Sequence, residues 1–177
     1  MIESVKKLRS RINAADSPVL YKWWFKYDKR IWDKFVSNGI DTARLEVRNI
    51  DGEDYYALYV GIGASCISRF RWHIIPSVHH TPSAVKSGVI STLRKTLCAL
   101  LDLKLLGAEQ FVNQYMDDHC FLEWKIFHNG ISKPGLEDIE SDRINAGYYP
   151  LNIQSNGAVP KEWLRYLKEM RSRFGSN

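Results

Sequence analysis

Residues 55–62 are Tyr-Tyr-Ala-Leu-Tyr-Val-Gly-Ile, an almost unbroken apolar and aromatic run. A run of this length and composition predicts a central β-strand that is covered on both faces. The pair Asp51-Gly52 immediately before it is a strong signal for a tight hairpin turn. Residues 43–50 alternate apolar and polar side chains, so they predict the partner strand of an antiparallel hairpin.

The rest of the chain predicts two more strands and a set of helices. The strands are expected at residues 19–25 and 120–128. Helices are expected at 2–13, 27–38, 64–75, 89–103 (capped by Ser87), 109–117, 134–145 and 161–174. These elements predict a single α/β (α+β) domain over residues 1–177, in which helices flank a small, mostly antiparallel central sheet.

The composition indicates a folded domain without a membrane-spanning segment. The chain is 45% hydrophobic and 25% charged, which is typical of globular proteins, and it has no run of about 18 apolar residues. Cys66, Cys98 and Cys120 lie in apolar contexts and predict buried thiols in a reducing compartment. We therefore expect a cytoplasmic protein with no membrane partner. The net charge of +5 is compatible with a nucleic-acid partner but does not require one.

Polar residues follow the central strand in an ordered series. Arg69 stands ten residues after Tyr59, and His73 stands four residues after Arg69. Much later, Glu140 lies in a predicted helix, and Asn152 ends the segment Tyr148-Tyr149-Pro150-Leu151-Asn152. In this order and spacing the chain resembles the GIY-YIG endonucleases, from about residue 18 to residue 153. The resemblance implies that family's nuclease fold, here with extra terminal helices at 2–13 and 161–174.

The first family motif has two candidate positions. We place it at Pro18-Val19-Leu20-Tyr21, with Tyr21 as the family tyrosine, which implies an insertion of residues 22–50 between the first two motifs. The alternative places the first strand at residues 44–50 and leaves no tyrosine there. Many family members have a lysine where this chain has Ile62, and Lys22 and Lys86 are candidates to replace it.

Arg69, His73 and Glu140 are the residue types that phosphodiester hydrolysis needs. Four residues apart on a helix, Arg69 and His73 project from one face, and a guanidinium fits two phosphate oxygens at once. Glu140 offers a hard oxygen ligand, and one carboxylate with phosphate and waters suffices for Mg²⁺ (or Mn²⁺). We therefore predict Glu140 as the metal ligand.

Tyr21 and Tyr59 are expected to flank the attacking water. A phenol with a pKa of about 10 is ionised in roughly one molecule per thousand at neutral pH, so a tyrosine base needs nearby cations; otherwise it only orients the water. Asn152 is predicted to hold a side chain or a phosphate through its amide.

Four basic residues are predicted to contact the nucleic-acid backbone. Lys86, Arg94 and Lys95 surround a helix start that is also rich in hydroxyl groups, and Arg71 lies between Arg69 and His73. The same segment is equally compatible with an ordinary solvated helix end.

The resemblance implies a metal-dependent endonuclease that cleaves DNA, of restriction or repair type, with one strand cut per active site. A homodimer is one way to cut both strands. The alternative is a catalytically inactive nucleic-acid-binding module of the same fold. A more remote alternative is a phosphodiesterase that acts on a smaller nucleotide. Salt would inhibit that activity less than it inhibits DNA cleavage.

Overall fold

The computed structural model describes residues 1–10, 16–75, 80–128 and 130–175, and these form an α+β fold around one antiparallel sheet. The strands are β1 (Ile2–Ser4), β2 (Val19–Lys26), β3 (Val47–Ile50), β4 (Glu53–Gly63) and β5 (Cys120–Ile126). The helices are α1 (Val5–Ser10), α2 (Lys29–Ser37), α3 (Cys66–Ile74), α4 (Pro82–Ser87), α5 (Thr92–Leu100), α6 (Glu109–His119), α7 (Lys133–Ala146) and α8 (Lys161–Gly175). The strand order is β1-β5-β2-β4-β3, with every pair antiparallel. The predicted fold class is confirmed.

The register of β2 against β4 determines which residues of the two strands are neighbours. Tyr21 lies opposite Gly61, and Trp23 lies opposite Tyr59. An ideal Cβ on Gly61 would lie 2.5 Å from the Tyr21 hydroxyl oxygen, so the absence of a side chain at Gly61 lets the phenol of Tyr21 cover β4. This pairing places Tyr21 beside the second tyrosine motif, as the first of the two sequence alternatives requires.

The hairpin of β3 and β4 forms at the other end of the sheet. Asp51 and Gly52 both adopt left-handed backbone conformations, with φ of 53° and 85°, as tight hairpin turns require. Val47 pairs with Tyr56, so β3 contacts only the beginning of β4. The strand predicted over residues 43–50 is shorter than expected, because Thr42–Arg44 form a 3₁₀ turn instead.

Both faces of the sheet are covered, as the apolar run of β4 predicts. The larger core contains Trp23 and Leu58 with apolar residues of α2, α3, α5, α6 and α8. The smaller core, on the opposite face, contains Trp24 and Val60 with Ile144 of α7. Cys66, Cys98 and Cys120 are buried free thiols, as predicted.

Two predicted helices are shorter in the structure than expected. Residues 2–13 were expected to form one helix, but Ile2–Ser4 extend the sheet by pairing with β5, and only Val5–Ser10 are helical; residues 11–15 lie outside the described residues. The three-residue spacing of Ile2 and Val5 favours a helix, but pairing with the edge of β5 makes Ile2–Ser4 a strand.

The helix predicted over residues 89–103 with Ser87 as its cap is also different. Ser87 ends α4, and Gly88 follows in a left-handed conformation. Ser91 caps α5 instead, since its hydroxyl accepts a hydrogen bond from the backbone N–H of Arg94.

In the described part of the chain, no helix has the length and apolar character needed to cross a membrane.

Candidate active site

His73 is held in the core between the sheet and α5. It lies on α3, which begins after Ser65, a residue whose hydroxyl accepts the N–H of Ser68. The imidazole is 2% exposed; its Nε2 lies 2.9 Å from the hydroxyl oxygen of Tyr21, and its Nδ1 lies 2.8 Å from the hydroxyl oxygen of Ser91. With a hydroxyl on each ring nitrogen, the orientation of the imidazole is fixed.

Tyr21 and Tyr59 lie next to each other on neighbouring strands, in front of His73. Their ring centroids are 6.4 Å apart, and that of Tyr59 lies 6.3 Å from His73. Burial raises the pKa of both phenols, and the charge of Arg69 lowers the two pKa values without reversing the direction. Both side chains are therefore neutral phenols at neutral pH in the protein alone, and each can donate or accept a hydrogen bond.

Glu140 approaches the same place from α7. Its carboxyl group lies near the Arg69 guanidinium and the backbone N–H of Ile62. Burial raises the pKa of this carboxyl group, an effect that the Arg69 guanidinium and the Ile62 N–H oppose. These interactions act over short distances, so the fold brings Arg69 and Glu140 close together although they lie far apart in the sequence.

These side chains surround one cavity. It has a volume of about 280 Å³, and it is lined by Tyr21, Tyr59, Arg69 and Glu140 together with Ile62, Gly63, Ala64, Lys133, Leu136 and Glu137. A Cβ on Gly63 would lie 2.8 Å from the Cβ of Arg69, so a glycine at this position lets α3 begin close to the end of β4. The arrangement offers a guanidinium, a carboxylate and two phenols to a single ligand.

Asn152 acts on the backbone beside this cavity. Its side-chain oxygen accepts the N–H of Val60 at 2.9 Å, and its side-chain NH₂ donates to the carbonyl of the same residue at 2.8 Å. The amide thus pairs with β4 as a neighbouring strand would, one residue after Tyr59. Asn152 positions Tyr59, and both ends of its amide are already engaged.

A comparison with protein-family models identifies the family of this domain. The model described as the GIY-YIG catalytic domain matches residues 19–173, which is most of the chain. The chain belongs to the GIY-YIG family. No curated protein matches it, and no solved structure does. The GIY-YIG domain supports a nuclease of the endonuclease superfamily, and a nuclease domain implies a DNA substrate.

The basic residues predicted to contact DNA are placed very differently in this GIY-YIG domain. Arg94 is completely buried and donates to the carbonyl of His73 at 2.8 Å and to Nε2 of His80 at 3.1 Å. A side chain without exposed surface cannot reach DNA, so the prediction for Arg94 is wrong. Arg71 and Lys86 are exposed, and Lys95 is partly buried.

Neither candidate for the missing family lysine lines this cavity or the larger cavity that adjoins it. Lys22 projects from the opposite face of β2 to Tyr21, over the ring of Trp24, and pairs with Glu46 at 2.6 Å. Lys86 lies at the exposed end of α4. The residues that line the two cavities do not include Lys22 or Lys86.

GIY-YIG nucleases generally depend on a divalent metal, and the oxygen donors present fit a hard cation. Glu140 lines the cavity together with Glu137, which lies one helical turn earlier. One or two carboxylates completed by phosphate and water oxygens suit Mg²⁺ or Mn²⁺. Among the described residues, no group of three His, Cys, Asp or Glu side chains forms a cage for a metal, so such a site depends on the substrate phosphate and water for its other ligands.

A second and larger cavity adjoins the first. Its volume is about 940 Å³, and Tyr59, Glu137 and Glu140 line both cavities. The larger cavity is also lined by Lys95 of α5 and by Lys168 and Arg171 of α8. Sequence reasoning did not single out Lys168, Arg171, Glu137 or Ser91. A serine ahead of a helical pattern could have indicated the Ser91 cap, but nothing in the pattern indicates its contact with His73.

Proposed function

We propose that this chain is a metal-dependent endonuclease that hydrolyses phosphodiester bonds of DNA, one strand per active site. The observation that carries the proposal is the convergence of Arg69, Glu140, Tyr21 and Tyr59 on one cavity, with His73 bound to Tyr21 behind it. A guanidinium and a carboxylate that share a cavity, without a hydrogen bond between them, can each bind part of a phosphate–metal unit.

Arg69 binds the non-bridging oxygens of the scissile phosphate, because its planar donor fork matches two oxygens and its charge is permanent. Glu140, with Glu137 nearby, would hold Mg²⁺ or Mn²⁺. When bound, the ion neutralises charge on the phosphate and stabilises the leaving oxygen. The raised pKa of Glu140 reflects a carboxylate taken out of water, where its interaction with a cation is stronger than on the open surface.

Tyr59 and Tyr21 position the attacking water. Since both are phenols at neutral pH, neither acts as a preformed base. A proton that leaves the water can pass to the hydroxyl oxygen of Tyr21 while the Tyr21 proton passes to Nε2 of His73. His73 is suited to this step because a neutral imidazole has one acceptor and one donor nitrogen, and its two nitrogens contact Tyr21 and Ser91. In this arrangement Nδ1–H of His73 donates to Ser91.

The experiment is incubation of the purified chain with supercoiled plasmid and MgCl₂ or MnCl₂, followed by mapping of the cut ends. We expect nicked circles first, since one site cuts one strand, and linear product only where two molecules act together. Glu140→Gln and Arg69→Ala are expected to abolish cleavage, as is excess chelator. Asp138→Asn is the matched control, because Asp138 is an exposed carboxylate on the same helix.

Wild-type rates in Glu140→Gln or Arg69→Ala would refute the assigned roles. Tight DNA binding without any cleavage would support the inactive binding module instead. The contexts we propose are restriction or repair in the cytoplasm. The elements that lie outside the site, among them α2 and β3, are where sequence recognition would reside.

A further inference from the structure

The larger cavity has one basic wall and one acidic wall. Lys95, Lys168 and Arg171 form the basic wall, which we call the α5–α8 clamp. Glu137 and Glu140 of α7 form the acidic wall and also line the smaller cavity that contains Arg69. The two cavities thus meet along Tyr59, Glu137 and Glu140, and each has its own arginine.

The clamp is built into the core. The helices α5 and α8 pack together through buried side chains such as Leu97, Trp163 and Leu167. Trp163 also donates a hydrogen bond to the carbonyl of Pro150 at 2.6 Å, which ties α8 to the segment that carries Asn152. The position of Arg171 relative to Tyr59 is therefore determined by the same packing that positions β4.

The three cations lack the carboxylate partners that surface cations usually find. Across residues 1–10, 16–75, 80–128 and 130–175, no acidic side chain forms an ion pair with Lys95, Lys168 or Arg171. Arg171 and Lys95 are partly buried, and burial lowers the pKa of both, with Arg171 lowering that of Lys95 further. Partly buried like charges that repel each other are stabilised when an anion binds between them.

Resting on the function proposed above, we propose that the α5–α8 clamp binds the backbone phosphate next to the scissile one. A nucleic-acid strand that crosses Tyr59 and Glu140 would present one phosphate to Arg69 in the smaller cavity and its neighbour to Arg171 in the larger. The clamp reads no sequence, because it contacts the backbone. Its role is to bind the strand beside Glu140 without taking part in the chemical step.

The test compares Arg171→Gln with Arg173→Gln, which removes the same charge from the opposite, exposed side of α8. Fluorescence anisotropy measures binding of a labelled DNA duplex between 50 and 300 mM NaCl, about the range over which phosphate contacts are resolved. We expect Arg171→Gln to make the slope of log K against log salt shallower by about 0.9, which is the value of one phosphate contact. Arg173→Gln should leave the slope unchanged.

Cleavage kinetics separate binding from positioning of Tyr59. A contact that is equally strong in the ground state and the transition state appears in KM, so Arg171→Gln should raise KM about tenfold and change kcat by less than about threefold. Arg171→Lys should restore most of the lost affinity, since charge is retained. A lower kcat with unchanged KM and salt slope would overturn the proposal, because Arg171 would then act through Tyr59 alone.

Lys168→Gln tests the clamp even if Arg171→Gln does not fold, because Lys168 is exposed and its replacement does not disturb the core. It should also make the salt slope shallower. If the wild-type chain binds DNA without cutting it, the proposed nuclease function is refuted, but the salt slopes still show whether the clamp binds a phosphate. If the chain cuts DNA and neither variant changes the slope, the clamp fails and the function stands.

Discussion

Replacement of Gly61 by alanine tests whether Tyr21 is held against β4 as the structure shows. The added Cβ would lie 2.5 Å from the Tyr21 hydroxyl oxygen and 2.7 Å from its Cζ. Ordinary contacts begin near 3.5 Å, so the ring must move by about 1 Å. Tyr21 is 2% exposed, and its hydroxyl lies 2.9 Å from His73, so the ring has little space in which to move.

The expected loss of stability combines two effects. Overpacking of a filled core costs about 1–3 kcal/mol, and loss of the contact between Tyr21 and His73 adds about 0.5–1.5 kcal/mol. We therefore expect Gly61→Ala to lower the free energy of unfolding by about 1.5–4.5 kcal/mol. Because a misplacement of about 1 Å in a catalytic group can lower a rate about 100-fold, cleavage should fall by a similar factor.

Urea unfolding and single-turnover cleavage measure the two effects. Gly157→Ala is the matched control, because no atom lies within 4 Å of the Cβ it would carry. In a Tyr21→Phe background, Gly61→Ala should be less destabilising, since the nearest clashing atom is absent. Wild-type stability and cleavage in Gly61→Ala would refute the placement of the phenol over Gly61.

Three further predictions concern groups near the site. Ser91→Ala should lower kcat with little change in KM, and should lower the free energy of unfolding by about 1–2 kcal/mol because α5 loses its cap; a wild-type kcat would contradict the role given to Ser91 in holding His73. Arg94→Met should destabilise the protein by about 3–5 kcal/mol in urea unfolding, since buried polar partners lose their donor, while the salt slope of DNA binding stays unchanged. Glu140→Gln should be more stable than the wild type at pH 7, and the difference should vanish as the pH falls below 4.5. The sign follows from the raised pKa of Glu140. A carboxyl group whose pKa is higher in the folded than in the unfolded state stabilises the fold at low pH, and this stability is lost as the group ionises. Equal unfolding free energies of the variant and the wild type at both pH values would contradict the prediction.

The sequence was most informative where local pattern and site spacing coincide. The apolar run of β4 with Asp51-Gly52 before it predicted the central hairpin, and helical spacing placed Arg69 and His73 on one face of α3. Both depend on interactions within a few residues. The edge strand β1 was missed because its three residues become a strand only through pairing with β5, about 120 residues away.

Arg94 shows why basic residues near a helix start are ambiguous. The same cluster of serines, threonines and cations suits a phosphate site or a buried network. Here the carbonyl of His73 and the side chains of His80 and Asn113 converge on the guanidinium. These partners come from separate segments of the chain, so no local pattern distinguishes this arginine from Lys95, which follows it and lines the cavity.

The energetics of the site follow from its position at the edge of the core. Burial raises the pKa values of Tyr21, Tyr59 and Glu140. The two phenols stay neutral at neutral pH, so only the ionised form of Glu140 opposes folding, and the surrounding structure must compensate for it. Asn152 and Ser91 contribute to that compensation through hydrogen bonds that orient β4 and His73 without occupying the cavity. A substrate phosphate and its metal would then interact with the guanidinium and the carboxylate at a partly buried position, where solvent screens the attraction between charges least. The partial burial that weakens the free protein is therefore the same property that would strengthen its interactions with a bound phosphodiester.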